Sequence, residues 1–212
     1  MPKMDSLLVT RCRRELRLAM DRLIDWRWRI DTLGGTWALS EKAGKFDDAS
    51  QNIPVSYYLL YRFLGRTVFK ADDVFYDIGC GNGRVLCYVA RKGILKTIGI
   101  ELSPAFVDKA RTNAQNLRNR ISPIEVRCGD AVEMDYSNGT VFFFYNPFGP
   151  KTLQSVLDKI KESLGSYNRQ MRFMYQNPVH SSVFRSSNWL KYAGRNEEIL
   201  SKQQMEVWMY EG

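Results

Sequence analysis

The chain has 212 residues, of which 44% are hydrophobic and 25% charged, and its formal net charge is +8. That length suits one α/β domain with a short extension, and the hydrophobic fraction supports a sizeable core, which excludes a disordered chain. No apolar run approaches the roughly 20 residues that a membrane span needs. The first residues lack the apolar stretch of a secretory signal, so we predict a cytoplasmic protein.

The cysteine and histidine content argues against a metal site and against disulfides. The four cysteines follow no zinc-binding spacing, and a chain without a secretory signal should keep them reduced. A single histidine, His180, excludes a multi-histidine metal site, and we predict no metal. The excess positive charge is spread along the chain, so it indicates little about nucleic-acid or anionic-lipid partners.

Residues 5–30 are predicted to form one helix, because apolar residues recur there at helical spacing while the arginines fall largely off that stripe. The members of the stripe are Leu7, Leu8, Cys12, Leu16, Met20, Leu23, Ile24 and Trp28. Gly34-Gly35 should end the helix, and the polar residues 36–52 should form a linker or a flexible lid. We therefore divide the chain into an N-terminal helix with its lid, 1–50, and a second domain, 51–212.

The basic N-terminal helix has three interpretations. We favour an accessory helix that packs on the domain. The helix could also dimerise, or it could lie on a membrane surface with Trp26 and Trp28 as interfacial anchors. Its acids, Glu15, Asp21 and Asp25, interrupt the basic face and argue against the membrane.

From Pro54 onward, strands and helices alternate, and Pro54 itself suits the first position of a short helix. The predicted strands are 74–78, 97–101, 124–128, 141–145, 171–175 and 205–210, and the predicted helices between them are 84–92, 104–119 and 152–164. Strand 141–145 is entirely apolar, so we expect it near the centre of the sheet. Such alternation predicts a doubly wound parallel sheet, in which ligands bind at the edge where the strands end.

A glycine-rich loop, residues 77–83, joins strand 74–78 to the helix after it. Its three alternate glycines let the backbone turn tightly and keep side chains away from a ligand. It is not a dinucleotide fingerprint, because the third glycine comes one residue early and Arg84 stands where that motif has Gly or Ala. No P-loop sequence is present either. Asp77 would repel a pyrophosphate but suits a cationic amino-acid ligand.

The sequence Asp77-Ile78-Gly79-Cys80-Gly81-Asn82-Gly83 resembles the first motif, (D/E)-x-G-x-G-x-G, of the class I S-adenosylmethionine-dependent methyltransferases. The resemblance implies a doubly wound, mostly parallel, seven-stranded Rossmann-like sheet, here with an N-terminal helical extension. It also implies methyl transfer as the activity, with S-adenosylmethionine as cofactor and S-adenosylhomocysteine as product.

Further matches follow in the order of the family and extend the resemblance over residues 54–212. Glu101 ends the second strand, where the family has an acid that accepts hydrogen bonds from both ribose hydroxyls. Asp130 follows the third strand, where the family places an acceptor for the adenine amino group. The cofactor-binding residues so implied are Asp77, Gly79, Gly81, Gly83, Glu101, Leu102, Asp130, Ala131 and Asn146.

The segment Asn146-Pro147-Phe148-Gly149 stands where the family has its acceptor-facing motif. Amino-methylating relatives have (D/N)-P-P-(Y/F) there. The second proline is missing here, and the aromatic residue comes one place early, which weakens an inference to adenine or glutamine methylation. Residues 146–150 also resemble lysine methyltransferases of the Dot1 kind, in which an Asn and a Phe-Gly-Pro follow the same strand.

Two catalytic residues are predicted in this segment. We expect Pro147 to restrict Asn146 to an extended backbone, from which its side-chain oxygen orients a nitrogen nucleophile. Phe148 is expected to pack beside the transferred methyl group, and a core position under the loop is an equal alternative for its ring. His180 is either a general base or, as we favour, an exposed residue at a helix start. Cys80 and Cys87 are expected to be packing residues.

The methyl acceptor is unknown, and three functional hypotheses stay open. The leading one is methylation of nitrogen in a protein side chain or a small-molecule amine. Methylation of nucleic acid is the alternative, disfavoured because the charge is diffuse and no separate recognition domain is evident. The third is a non-catalytic S-adenosylmethionine-binding protein that acts through its N-terminal helix.

Overall fold

The protein is described here from a computed structural model that covers residues 3–33, 54–165, 168–199 and 201–212, with side chains from residue 11 onward. The predicted lid 36–52 and the predicted helix end at Gly34-Gly35 lie outside these residues, as do the side chains of Leu7 and Leu8. Within this part of the chain, no helix is long and apolar enough to cross a membrane.

Seven strands form one sheet in the order β3-β2-β1-β4-β5-β7-β6. The strands are β1 Val74–Ile78, β2 Lys96–Glu101, β3 Ile124–Cys128, β4 Val141–Tyr145, β5 Met171–Gln176, β6 Lys191–Glu198 and β7 Gln203–Tyr210. The first five pair in parallel, whereas β7 is antiparallel to both β5 and β6. The mostly parallel, seven-stranded Rossmann-like sheet that the sequence implies is therefore confirmed.

Six α-helices accompany the sheet in the described residues. They are α1 Lys3–Trp28, α2 Tyr57–Phe63, α3 Arg84–Val89, α4 Pro104–Asn116, α5 Pro150–Glu162 and α6 Ser181–Ser186. The prediction that Pro54 begins a helix is wrong: α2 begins at Tyr57, because Ser56 caps it by accepting a hydrogen bond from the backbone N–H of Leu59. Helix α3 also ends earlier than predicted, at Val89.

The predicted central position of β4 is confirmed. This strand pairs with β1 on one side and β5 on the other, and Phe142, Phe143 and Phe144 have no exposed surface. By contrast, β6 has no counterpart among the predicted strands. It lies at the sheet edge with mostly exposed side chains, so its sequence lacks the apolar alternation that marks a half-buried strand.

Helix α1 packs on the domain with an unexpected face. Asp21, Asp25 and Trp28 are buried, and the backbone turns out of the helix at Arg29, whose φ is +60°. Most members of the predicted apolar stripe whose side chains are described face outward, and Leu16 is 64% and Leu23 61% exposed. Asp21 and Asp25 thus do not interrupt the outer basic face, and of the three acids in the argument against a membrane surface only Glu15 is exposed. The division of the chain near residue 50 stays a prediction.

Candidate functional site

The glycine loop turns from β1 into α3 through three left-handed backbone positions. Gly79, Gly81 and Gly83 have φ values of +78°, +51° and +79°, a region that side-chain-bearing residues rarely adopt. A Cβ on Gly79 would lie 2.7 Å from the Cβ of Pro147, so the loop after β1 touches the loop after β4. The sequence needs glycine here for both the turn and this close approach.

Asp77 carries a buried carboxylate with unused bonding capacity. It is 3% exposed, and its Oδ2 has no hydrogen-bond partner among the described residues. Burial, with a further contribution from the Glu101 carboxylate, raises the pKa of Asp77 to about 8. An unpaired buried carboxylate is costly unless a ligand satisfies it, so this atom fits a cationic ligand group.

Glu101 holds the glycine loop against the end of β2. Its Oε2 accepts a hydrogen bond from the Gly81 N–H, and its Oε1 accepts one from the Ser103 N–H, both at 2.9 Å. Burial raises the pKa of Glu101, although these backbone N–H groups act in the opposite direction. Each carboxylate oxygen retains a second acceptor site, so Glu101 can still accept from a ligand hydroxyl.

The ends of β2 and β3 are joined next to Glu101. The backbone N–H of Gly129 donates to the Glu101 carbonyl oxygen at 3.0 Å, which brings Asp130 to the same edge of the sheet. Oδ1 of Asp130 accepts a hydrogen bond from the Val132 N–H at 3.1 Å and so fixes the turn that contains Ala131. Half-buried Leu102 and Asp130, with buried Ala131, lie on the segments directly after β2 and β3.

Asn146 follows β4 in a left-handed backbone conformation. The expectation that Pro147 would keep Asn146 extended is wrong, since its φ is +45°. Asparagine is one of the few residues that tolerate this region, and the tight approach of Pro147 to Gly79 accompanies the turn. Oδ1 of Asn146 accepts a hydrogen bond from the Tyr175 hydroxyl at 3.2 Å.

Phe148 belongs to the hydrophobic core beneath the loop, with 9% of its surface exposed. His180 directly precedes α6, and its backbone N–H donates to the Tyr175 hydroxyl oxygen at 3.2 Å. Cys80 and Cys87 are buried free thiols, and burial raises the pKa of both, that of Cys87 to about 12. These two thiols are therefore protonated packing groups.

A cleft opens between the glycine loop and the N-terminal region. It is lined by Asp77, Gly79, Cys80, Asn82, Arg84, Val85 and Tyr145, together with Thr32, Pro54 and Val55. The sequence motifs did not predict the participation of Arg84 or of residues 32, 54 and 55. A signal existed only for Arg84, which breaks the dinucleotide pattern at the position after the last glycine.

Gln176 is a second buried polar group near this end of the sheet. It pairs with Tyr145 in the β4–β5 register and has no exposed surface. Neither Oε1 nor Nε2 of its amide has a hydrogen-bond partner in the described part of the chain. The same residues contain no cluster of His, Cys, Asp or Glu side chains that could hold a metal ion.

Comparisons with known proteins agree with this geometry. A family model described as a methyltransferase domain matches residues 75–166. The chain is 31% identical over 117 residues to the histone-lysine N-methyltransferase, H3 lysine-79 specific, of Dictyostelium discoideum, a match of 49% of this chain and 6% of that protein. It is 33% identical over 104 residues to tRNA (uracil-5-)-methyltransferase homolog A of Homo sapiens, which covers 49% of this chain and 16% of that protein.

Among solved structures, the chain is similar to an RNA methyltransferase from Salinibacter ruber in complex with S-adenosyl-L-homocysteine. The TM-score is 0.57 and the identity 25%, over 76% of this chain and 95% of that one. The names of these three proteins include a protein, a tRNA and an RNA methyltransferase, so they leave the acceptor class open. The chain spans only a small part of the two curated relatives.

Proposed function

We propose that the chain is a class I S-adenosylmethionine-dependent methyltransferase with S-adenosylmethionine as its cofactor, and that it methylates a nitrogen atom in a protein side chain or a small-molecule amine. The observation that carries the proposal is Asn146. Its amide stands at the end of the central strand β4, its Oδ1 accepts from Tyr175, and its neighbour Pro147 lies against Gly79 of the cofactor loop.

Different residues at this edge of the sheet bind different parts of the cofactor. Asp77 offers its unpaired Oδ2 to the ammonium group of the methionine moiety. Glu101 offers the free acceptor sites of its carboxylate to the ribose hydroxyls, and Asp130 offers an oxygen to the adenine amino group. The glycines admit the cofactor backbone, while Leu102 and Ala131 lie beside the nucleoside. The sulfonium of the bound cofactor supplies an activated methyl group.

The chain's own contribution to the transfer is alignment and exclusion of water. The remaining acceptor site on Oδ1 of Asn146 can hold an N–H of the nucleophile and direct its lone pair toward the methyl group. Tyr175 keeps that amide in one orientation, because its hydroxyl donates to Oδ1 while accepting from the His180 backbone. Phe148 supports the loop from the core side.

A nucleic-acid acceptor is the second candidate, and the surface of α1 favours it. Six arginines of the helix and its end are exposed: Arg11, Arg13, Arg14, Arg22, Arg27 and Arg29. Trp26 is 74% exposed and lines a groove with Arg27, Arg29, Ile30 and Arg118. An exposed aromatic ring among arginines suits stacking on a base and contacts to phosphates.

Transfer of a labelled methyl group to the components of a cell extract tests both candidates. The labelled extract is divided and treated with protease, with nuclease or by size filtration. Label that is released by protease or passes the filter as a small amine supports the proposal, whereas nuclease-sensitive label supports the second candidate. The Asn146→Ala variant is the control for transfer that does not use this site.

We also propose a cytoplasmic location, in which the exposed thiols of Cys12 and Cys128 stay reduced.

A further inference from the structure

The N-terminal region is joined to the cofactor loop by a buried arginine. Arg84, the first residue of α3, is 3% exposed. Its Nη1 donates to Asp21 Oδ2 at 2.7 Å and to the Val55 carbonyl oxygen at 3.0 Å, and its Nε donates to Thr32 Oγ1 at 2.6 Å. One side chain thus contacts α1, the segment after α1 and the segment before α2.

The partners of Arg84 are themselves held in place. Thr32 Oγ1 donates to the Asp25 carboxylate at 2.9 Å, and the Thr32 N–H donates to Asp25 Oδ2 at 2.8 Å. The Tyr57 hydroxyl donates to Asp25 Oδ1 at 2.7 Å, and the guanidinium of Arg84 lies 4.7 Å from the centre of the Tyr57 ring. A buried cation and two buried carboxylates therefore form one hydrogen-bonded cluster, which is costly to break on one side only.

Asn113 of α4 provides a second and independent connection. Its Nδ2 donates to the carbonyl oxygens of Asp31 and of Asn82, both at 2.9 Å, and its Oδ1 accepts from the Asp31 N–H at 2.8 Å. Asn82 lies between the last two glycines of the cofactor loop. The loop and the segment after α1 thus share a buried amide that is 2% exposed.

Thr32 and Val55, which Arg84 holds, line the same cleft as Asp77 and Gly79, together with Pro54. Asp77, whose Oδ2 is unpaired among the described residues, lines this cleft. We propose that the segments 29–33 and 54–56, fastened by Arg84, form a wall of the pocket for the amino-acid end of the cofactor, and that Arg84 is a positioning residue for that wall. The inference rests on the proposed use of the cofactor. A closed wall excludes water and strengthens the attraction between Asp77 and an ammonium group.

The test compares two ligands that differ only at the amino-acid end. S-Adenosylhomocysteine contains that end, whereas 5′-methylthioadenosine has the nucleoside and sulfur without it. Thr32→Val keeps the shape of the side chain and removes the hydroxyl that joins Arg84 to Asp25. We expect calorimetry to show about five- to tenfold weaker binding of S-adenosylhomocysteine, the cost of a lost polar contact, and a less than about twofold change for 5′-methylthioadenosine.

The matched control is Thr112→Val, a substitution at an exposed position of α4 whose hydroxyl bonds only within its own helix. It should leave both affinities unchanged. A second variant, Arg84→Gln combined with Asp21→Asn, removes the ion pair with Asp21 and neutralises that carboxylate, while Asp25 keeps its hydrogen bonds from Thr32 and Tyr57; it should repeat the ligand-selective loss. A chain with Arg84→Lys and an unchanged Asp21 should bind S-adenosylhomocysteine more tightly than the double variant does, because lysine keeps a positive charge beside Asp21.

Equal losses for both ligands would overturn the inference, because the N-terminal region would then support the whole loop or the fold. Unchanged binding of S-adenosylhomocysteine by Thr32→Val and by the double variant would also overturn it. The proposed function fails separately: it fails if the unmodified protein binds the cofactor but transfers no methyl group to any nitrogen. Circular dichroism of each variant confirms that the comparison is made on folded protein.

Discussion

The hydroxyl of Tyr175 donates a hydrogen bond to Oδ1 of Asn146 at 3.2 Å and thereby joins the end of β5 to the end of β4. Tyr175 has no exposed surface, so its ring cannot move away without disturbing the core. The contact gives the amide of Asn146 one preferred orientation. Tyr175 can therefore be substituted separately from Asn146, to test how the amide is positioned.

Asn146→Ala should separate methyl transfer from cofactor binding. We expect turnover to fall about ten- to a thousandfold, the range for losing one positioning or polar catalytic contact. Cofactor affinity should be nearly intact, because Asn146 is only one of the residues expected to bind the cofactor and the others lie at the ends of β1, β2 and β3. Calorimetry paired with a methyl-transfer assay measures both quantities. Equal losses of affinity and rate would assign Asn146 to the cofactor pocket or to the fold.

Tyr175→Phe should reduce turnover less than Asn146→Ala does. The phenylalanine ring fills the same core space, and the variant loses the hydrogen bond to Asn146 and the one from the His180 backbone N–H, so we expect a decrease of about three- to tenfold. The measurement is the rate at saturating cofactor, with the affinity determined separately. If Tyr175→Phe lowers the rate further in the Asn146→Ala background, Tyr175 does not act through Asn146.

Glu101→Ala should weaken cofactor binding by about 1.5–3 kcal/mol, which is typical for hydrogen bonds to a charged group. The variant loses the ligand contact and also the acceptor for the Gly81 N–H. Glu125→Ala is the matched control, since Glu125 lies on β3 and pairs with Lys96 and Arg127 at the surface. Normal affinity of a folded Glu101→Ala variant would show that the ribose contact lies elsewhere.

Gly81→Val should abolish cofactor binding while most of the fold is retained. The φ of +51° at Gly81 disfavours a β-branched residue, and the added side chain would occupy space needed by the cofactor. Gly165→Val, in the turn after α5, is a control glycine substitution outside the site. Calorimetry and circular dichroism together decide the outcome: a folded variant with normal affinity would rule out the loop assignment.

Cofactor binding should depend on pH through Asp77. Burial, with the charge of Glu101, raises the pKa of Asp77 to about 8, so near neutral pH the free protein holds a proton there. The ammonium group of the cofactor favours the ionised carboxylate, which lowers this pKa on binding and releases the proton. Affinity should therefore rise between about pH 6 and pH 7.5.

Calorimetry in buffers of different ionisation enthalpy measures the released proton directly. Asp77→Asn should bind more weakly and should lose most of both the pH dependence and the proton release. A pH dependence that is unchanged in Asp77→Asn would assign the titration to another group, and Glu101, whose charge contributes to the raised pKa of Asp77, would be the first candidate.

The sequence by itself determined the strands β1, β3 and β4 to the residue, the loop of alternate glycines, and the acids at or just after the strand ends. These features are local. A short apolar run bounded by turn residues predicts a buried strand, and parallel strands bring their following loops to one edge regardless of details elsewhere. The family resemblance depended on the same short segments, which explains why it extended to the cofactor and stopped at the acceptor.

Only the tertiary structure decided which face of α1 is buried. Helical periodicity predicted an inward apolar stripe, but Asp21 and Asp25 face the domain because Arg84, more than fifty residues later in the chain, supplies their counter-charge. Pairing between residues so far apart produces no periodic pattern in either segment. The sequence did not predict the left-handed turn at Asn146 for the same reason. This turn accompanies the contact of Pro147 with Gly79, which belongs to another loop.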